Sequence, residues 1–373
     1  MSRPPFCPSP HCPYHHRPPP QWFVRHGRYR TSAFGEVQRY SCRHCGHRFS
    51  SQSFSIDYFA KRRVDYHRLI RMLCSTSSTR DISRDLRIST ATVQNKISRL
   101  ARGALAVHAR LSASFPLCEH LVFDGFESFS CSHYFPNNIH LLVGKHSQFV
   151  YFCNYVSLRR KGRMSEGQKR RRDELEKHYR PPRRSLRHSV LQAMEQLIRM
   201  IPRSTMLPLR LYSDEKQEYG WALRTRVVSR TLMQHSRLSH ISISSRIHRD
   251  TRNELFSVNY LDRELRKDLA NHVRKTVCFA RNVNNCMERV AVYLGYHNYL
   301  KPYRVRKPTG RTHAEEAGVE GREARRMMRR MFTRRFFLSR VEGMAESALE
   351  TWKRELVTPL KRGKEYLPAY ALA

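Results

Sequence analysis

Residues 120–124 read HLVFD and residues 209–214 read LRLYSD, two apolar runs that each close on an aspartate. Two runs of the same kind follow the first, IHLLVG at 139–144 and FVYFCNYV at 149–156, and LSHISIS at 238–244 follows the second. Short apolar runs rich in β-branched and aromatic residues, bounded by turn formers, predict strands. Helical patterns stand among them at 189–200, at 216–233, over a long stretch of roughly 261–280, and near 283–295. Strands interleaved with helices predict an α/β unit, here bounded at 117–303. It is interrupted at 159–188 by RRKGRMSEGQKRRRDELEKHYRPPRRSLRH, which reads as a basic insertion or mobile loop.

Asp124 and Asp214 carry the chemistry of this unit. An acid at the end of a buried strand sits where the core opens, and two such acids on adjacent strands repel unless a divalent cation holds them. With a third acid from a helix packed over the sheet, the set can hold two Mg2+ ions. One activates a water or 3′-hydroxyl and the other stabilises the leaving oxygen of a phosphodiester. Taken singly, a strand-end aspartate is more often a turn former or a helix cap, so the rest of the chain has to decide.

Charge points to the partner. The 373 residues carry 70 Lys and Arg against 31 Asp and Glu, a net +39. Self-repulsion on that scale is relieved by a polyanion, and nucleic acid is the leading one. No apolar run approaches the ~18 residues of a spanning helix, and the N-terminus MSRPPFCPSPHCPYHH has no apolar signal core. A cytoplasmic, nucleoid-associated protein without a membrane partner is the expectation.

Upstream, Cys7 and Cys12 are followed by Cys42 and Cys45 in RYSCRHCGHRFS (39–50). Two such arms predict a zinc ribbon over 1–55, with four thiolates around one structural Zn2+ and no open position for catalysis. His11, His15, His16, His44 and His47 are alternative ligands. Residues 60–112 carry helical periodicity, and TRDISRDLRISTATVQNKISRL (79–100) predicts a helix-turn-helix. Thr79 is expected at the first cap, Ile82, Leu86, Val93, Ile97 and Leu100 inward, and Thr92, Asn95, Lys96 and Arg99 at base edges and phosphates. The last segment, 304–373, reads as a basic helical region. In GREARRMMRRMFTRRFF (321–337), Met327, Met328, Met331 and Phe332 form one face and Arg322, Arg325, Arg326, Arg329 and Arg330 another. The cationic face suits a phosphate backbone, and a solvated helix packed on its own domain is the plainer alternative.

The order of these pieces resembles the DDE transposases of bacterial insertion sequences, within the retroviral-integrase superfamily. The pieces that carry the resemblance are SCRHCGHRF, LVFDGFESF, LYSDEKQEY, HVRKTVCFARN and YHNYLKPYR, and it covers about residues 1–305. It implies a multidomain α/β protein whose catalytic domain is a ribonuclease-H-like mixed sheet flanked by helices. The implied activity is Mg2+-dependent cleavage at the terminal inverted repeats of its own element and strand transfer into target DNA, carried out by a homo-oligomer. By position, Asp124 and Asp214 are the first two catalytic acids. The register counted back from RKT (274–276) places the usual glutamate of the third at Asn259, where this chain departs from the pattern. Asp262 lies one helical step on, on the same face; Glu264 is about 200° from Asp262 around the helix. Asp262 ranks first for the third ligand, Glu264 second and Glu254 third, with Asp268 disfavoured. Arg274 and Lys275 are expected phosphate contacts. His297 and Asn298 orient the site, contact DNA or form a buried structural pair. Asn259 keeps a second reading open, a catalytically inactive DNA-binding protein such as a regulator or a decayed transposase.

Overall fold

The computed structural model describes residues 3–225, 228, 238–304 and 310–373. Its central sheet has five strands: β4 (Leu121–Ser130), β5 (Ser132–Gly144), β6 (Val150–Ser157), β7 (Leu209–Asp214) and β8 (Leu238–Ile243). They lie in the order β6-β5-β4-β7-β8. The first three form an antiparallel meander, β7 pairs with β4 in parallel, and β8 pairs with β7 in parallel. The fold is therefore mixed α/β, with every sequence-expected strand present. The apolar runs of β4 and β5 and the adjoining Phe149 are covered on both faces: Leu121, Val122, Phe123, Ile139, Leu141, Leu142, Val143 and Phe149 are all fully buried.

One expectation changes at β4. Asp124 does not close the strand, because β4 continues to Ser130 and stays paired with β5 throughout. Only the pairing with β7 ends there, after Leu121–Phe123 against Leu211–Ser213. The polar-aromatic alternation of ESFS hides a strand that is half covered rather than fully buried.

Helices line the sheet. α6 (Ser185–Met200) meets β5 and β6 through Ser189, whose Oγ lies 2.8 Å from His140 Nδ1 and donates to Asn154 Oδ1 at 3.1 Å. α7 (Gln217–Arg224) sets the Tyr219 ring edge-on to Phe123, 4.9 Å between centroids. The expected helix over 216–233 is described only to Arg224, and its remainder falls largely on 226–227 and 229–237, outside the described residues. The basic insertion is not simply a loop. It contains α5 (Glu166–Glu176), capped by a reciprocal Ser165–Gln168 box and with no residue buried.

The helix expected over 261–280 is instead α8, Phe256–Asp268. It stops because its last carbonyls are taken: Thr76 N–H donates to Asp268 O at 2.8 Å and Thr76 Oγ1 to Lys267 O at 3.1 Å. Such outside donors satisfy the orphan carbonyls of a helix end. Next comes α9, Val283–Tyr299.

The N-terminal helices α2 (Tyr66–Leu73), α3 (Thr79–Leu86) and α4 (Thr90–Ser112) follow the predicted pattern, with Val93, Ile97 and Leu100 fully buried. Ser78 rather than Thr79 caps α3, in a reciprocal box with Asp81. These helices share one continuous apolar cluster with the central sheet. The close crossing of α4 and α9 needs Gly295: a Cβ there would stand 3.0 Å from that of Ala104.

In the first 55 residues a single helical turn, α1 (Pro13–His16), precedes a small sheet of β1 (Phe23–Thr31), β2 (Gly35–Cys42) and β3 (Arg48–Ser50), antiparallel throughout. Its core of Trp22, Tyr40, Phe49 and Phe54 is completed by Phe337 from the far end of the chain. Arg335 N–H donates to Phe54 O at 2.9 Å, and Ser55 pairs with Arg334. The C-terminal region is less helical than its composition suggests. α10 (His313–Ala317), α11 (Gly321–Thr333) and α12 (Glu346–Lys353) are joined by extended segments, with Met327, Met328, Met331 and Phe332 buried on α11 as expected.

Candidate active site and nucleic-acid interface

The four expected cysteines converge. Their sulfurs all lie within 4.8 Å of one another, with Cys7–Cys45 at 3.7 Å and Cys12–Cys42 at 3.8 Å. Zinc–sulfur bonds of about 2.3 Å in a tetrahedron require sulfurs about 3.8 Å apart, so the cluster has the dimensions to bind a structural metal such as zinc. Burial pushes the Cys7 and Cys12 thiols up. At Cys42 burial acts the same way, but the Cys45 and His44 amides aimed at its sulfur prevail and lower it. No histidine joins the set. The nearest ring nitrogen, His44 Nδ1, stands 3.9 Å from Cys12 Sγ, and His15 is turned to Cys7 O at 2.7 Å and Ser339 Oγ at 2.8 Å.

The strand register puts Asp124 and Asp214 level on neighbouring strands, one step past the Phe123–Ser213 pair. Asp124 is buried; its Oδ1 accepts from Gly125 N–H at 2.7 Å and from the Tyr219 hydroxyl at 3.3 Å. Burial raises its pKa, and the Asp214 charge raises it further. Asp214 Oδ1 accepts from Lys216 N–H at 3.1 Å. Across from them, α8 presents Asp262. Burial and then the Asp124 charge push Asp262 up to about 7, against weaker pulls from Arg266, Arg249 and Lys216. Its Oδ1 is buried without a hydrogen-bond partner. Asp124 is thus the hub of the three, since it feels Asp214 and acts on Asp262. The three are not drawn to ligand distance: among the described residues, the cysteines alone form such a group of three or more.

The other acids are engaged elsewhere. Glu264 pairs with Lys301 and, at 2.9 Å, with Lys267. Burial raises its pKa, but those two cations prevail and lower it. Asp268 accepts from the Tyr293 hydroxyl at 3.0 Å and lies 3.6 Å from Lys301. Glu254 pairs with Lys145, beside the start of β4. Asn259 accepts from Arg249 at 3.2 Å and leaves its own amide nitrogen buried and unpartnered.

Sequence reasoning missed Tyr219, Lys216, Arg249 and Arg266. The first two were available as signals, since they follow Asp214 within LYSDEKQEY; Arg249 sits in a stretch with no pattern.

Two of the expected DNA contacts are corrected. Lys96 is buried, ion-paired with Asp57 and donating to Arg62 O at 2.9 Å. Arg99 is buried and donates to Ile56 O at 2.7 Å and to the Tyr370 hydroxyl at 3.0 Å. Both face inward because partners remote in sequence receive their charges, so neither reaches a groove. Asn95 is exposed and Thr92 half-buried at the start of α4. On α11, Arg325 and Arg329 are exposed, and Arg325 pairs with Glu315 at 3.2 Å. His297 and Asn298 are the structural pair. Asn298 bonds both polar groups of Val150, each at 3.0 Å, and His297 Nε2 lies 2.9 Å from Gln148 O.

Arg274 and Lys275 are exposed on one wall of a groove of about 1280 Å3. The insertion supplies the other wall, including Arg160, Lys161, Arg184 and Arg187. Ten Lys and Arg line this groove against two Glu, so its field suits a polyanion. Arg266, which the Asp262 charge acts on, lies in the same lining. Among the described residues, no helix is long and apolar enough to cross a membrane.

A scan of protein-family models and a search of curated proteins find no match to the chain.

Proposed function

We propose that the chain is a DDE-type DNA transposase with a ribonuclease-H-like catalytic core. The observation that supports this reading is that Asp124 and Asp214 follow the last paired residues of two adjacent parallel strands, while Asp262 on α8 feels the Asp124 charge and acts on Arg266 of the basic groove; among the described residues none of the three acids makes an ion pair. The donor set is all oxygen and multiply charged, which suits a hard divalent cation such as Mg2+. The orphaned buried Oδ1 of Asp262 fits that occupant. Asp124 and Asp214 would hold the metal together, with Asp262 in place of the glutamate that Asn259 lacks. When bound, Mg2+ supplies Lewis-acid activation of a water or 3′-hydroxyl and stabilises the leaving oxygen.

The chain's own residues do the rest. Tyr219 fixes the rotamer of Asp124 through its hydroxyl. Lys216, Arg249 and Arg266 give the site a positive rim that draws in a scissile phosphate. The groove walls hold the DNA backbone, leaving sequence readout to other parts of the chain. The mixed sheet with its parallel β4–β7 pair supports the ribonuclease-H-like assignment, and the cysteine cluster supports a zinc ribbon.

Purified protein, its own terminal repeats and Mg2+ test the reading through the cleaved ends and joined products. Asp214→Ala is expected to remove joining and retain repeat binding. Binding without cleavage or joining by the wild-type chain would instead establish the second reading, an inactive DNA-binding protein, which Asn259 favours. Cutting without preference for repeat ends would make it a general nuclease.

A further inference from the structure

On the far side of the 273–281 turn from the basic groove lies a separate cavity of about 530 Å3. The starts of α3 and α9 both open on it, through Ser78, Thr79 and Arg80 from one and Asn282 and Asn285 from the other. Three arginines line it, Arg80, Arg281 and Arg289, and none of its lining residues is acidic among the described ones. The acid nearest in sequence, Asp81, is taken up by Ser78 N–H at 3.0 Å and by Arg84.

Two buried side chains on this cavity are incompletely matched by the protein, one in charge and one in hydrogen bonding. Arg289 is only 7% exposed, yet it donates to the Thr79 hydroxyl, and among the described residues no carboxylate lies within ion-pair distance of it. Burial removes hydration that one hydroxyl only partly replaces, so a guanidinium held there without a counter-charge is costly. Asn271, 5% exposed and also lining the cavity, leaves its side-chain oxygen without a donor while its nitrogen faces Cys286 Sγ at 3.3 Å. The cavity therefore suits an anion at the arginines with a hydrogen-bond donor beside it.

We propose that this cavity is a nucleotide site, in which a phosphate sits among Arg80, Arg281 and Arg289 at the two helix starts and the base or sugar edge donates to Asn271. Helix N-termini and guanidinium forks are both preorganised for phosphate oxygens, and the volume lies within the range of ligand pockets. The phosphate chemistry stands on the cavity alone; only the expectation that it belongs to a DNA strand rests on the function proposed above. In that case the strand leaving the basic groove crosses the 273–281 turn and places one nucleotide at α3.

The test uses the full-length protein with Mg2+ omitted, so that binding is read without chemistry. Anisotropy of a labelled oligodeoxynucleotide is followed over a range of salt for wild type, for the surface variant Arg80→Gln/Arg281→Gln, and for Arg289→Lys. The surface variant does not threaten the fold. Each phosphate-neutralising charge removed should make the log–log salt slope shallower by about 0.7 for a single strand or about 0.9 for a duplex. Cys278, exposed on the cavity rim, gives a second reading: its alkylation, followed by peptide mass spectrometry, should slow on ligand binding. Protection by the oligonucleotide alone assigns the phosphate to a strand, and protection by deoxyadenosine monophosphate as well assigns a free-nucleotide site. An unchanged slope in Arg80→Gln/Arg281→Gln, with Cys278 alkylated at the same rate in every probe, overturns the proposal. That result leaves the transposase reading standing, since joining by Asp214-dependent chemistry is measured separately.

Discussion

Helix α8 carries three acids and treats them in opposite ways. On one side Glu264 and Asp268 are buried together, but Lys301 reaches both and Lys267 closes over them. On the other side Asp262 faces Asp124 with Asp214 beyond, and among the described residues neither Asp262 nor Asp124 makes an ion pair. The arginines and the lysine near them act only at a distance. Both clusters are desolvated, yet one is neutralised within the protein and the other is not. A neutralised pair holds elements together, here α8 to the end of α9. A pair left unneutralised must be protonated or must hold an external cation, and groups kept in that condition mark function more often than stability.

Removing the hub breaks the comparison most severely. Asp124→Ala is expected to lower strand joining by more than about ten-thousandfold, the several kcal/mol that metal-held charge stabilisation supplies to a transition state. Repeat binding should persist in the same preparation. Parallel loss of binding and of the folded signal would show Asp124 to be a folding residue.

Lys301→Met tests the opposite side. It strands Glu264 and Asp268 in the interior, and removing one partner of a buried pair typically costs about 3–5 kcal/mol. Chemical denaturation should register that loss, while Mg2+ binding, read by calorimetry on the folded protein, should stay near wild type. A Mg2+ affinity that fell with Lys301 would mean that the two faces of α8 are one site.

The two clusters should also differ in how they respond to pH. Asp262 is raised from 3.8 to about 7 in the folded chain, so between those values the folded state binds more protons than the unfolded one. Metal-free stability attributable to this group therefore falls as pH rises from about 4 to about 7 and levels off above. Asp262→Asn should flatten that slope, and Mg2+ should oppose it by holding the ionised form. Glu264, lowered by its lysines, contributes with the opposite sign: its stabilisation is present above its ordinary pKa and is lost on acidification. Melting temperature against pH, for wild type and Asp262→Asn with and without Mg2+, separates the two.

Much of this was legible in the sequence. Five strands and the cysteine cluster follow from short apolar runs and from spacing, because strand patterning and the turn of a CxxC arm are local, whereas the pairing of Asp124 with Asp214 rests on the resemblance. The register of the resemblance singles out Asp262, and helical periodicity separates it from Glu264. What escaped depends on partners far away in sequence. Lys96 and Arg99 read as DNA contacts until Asp57, Ile56 and Tyr370 take them inward. The end of α8 is set by Thr76, almost two hundred residues earlier, and the core of the first 55 residues needs Phe337. No pattern within a window contains such information.

The smallest predicted effect asks the sharpest question. Asn259 stands one turn before Asp262 on the same face of α8, bonded to Arg249. If Asp262 has taken over as the third ligand, Asn259→Glu adds a carboxylate to a site already complete, and Arg249 stands ready to pair with it. Joining should then change by less than about tenfold, or 1.4 kcal/mol. The double variant Asn259→Glu/Asp262→Asn should recover much of what Asp262→Asn alone loses, because the carboxylate is then supplied from the neighbouring turn. A large gain in the single variant would mean that the wild-type site lacks its third acid, and that Asp262 is kept buried and half-protonated for another reason.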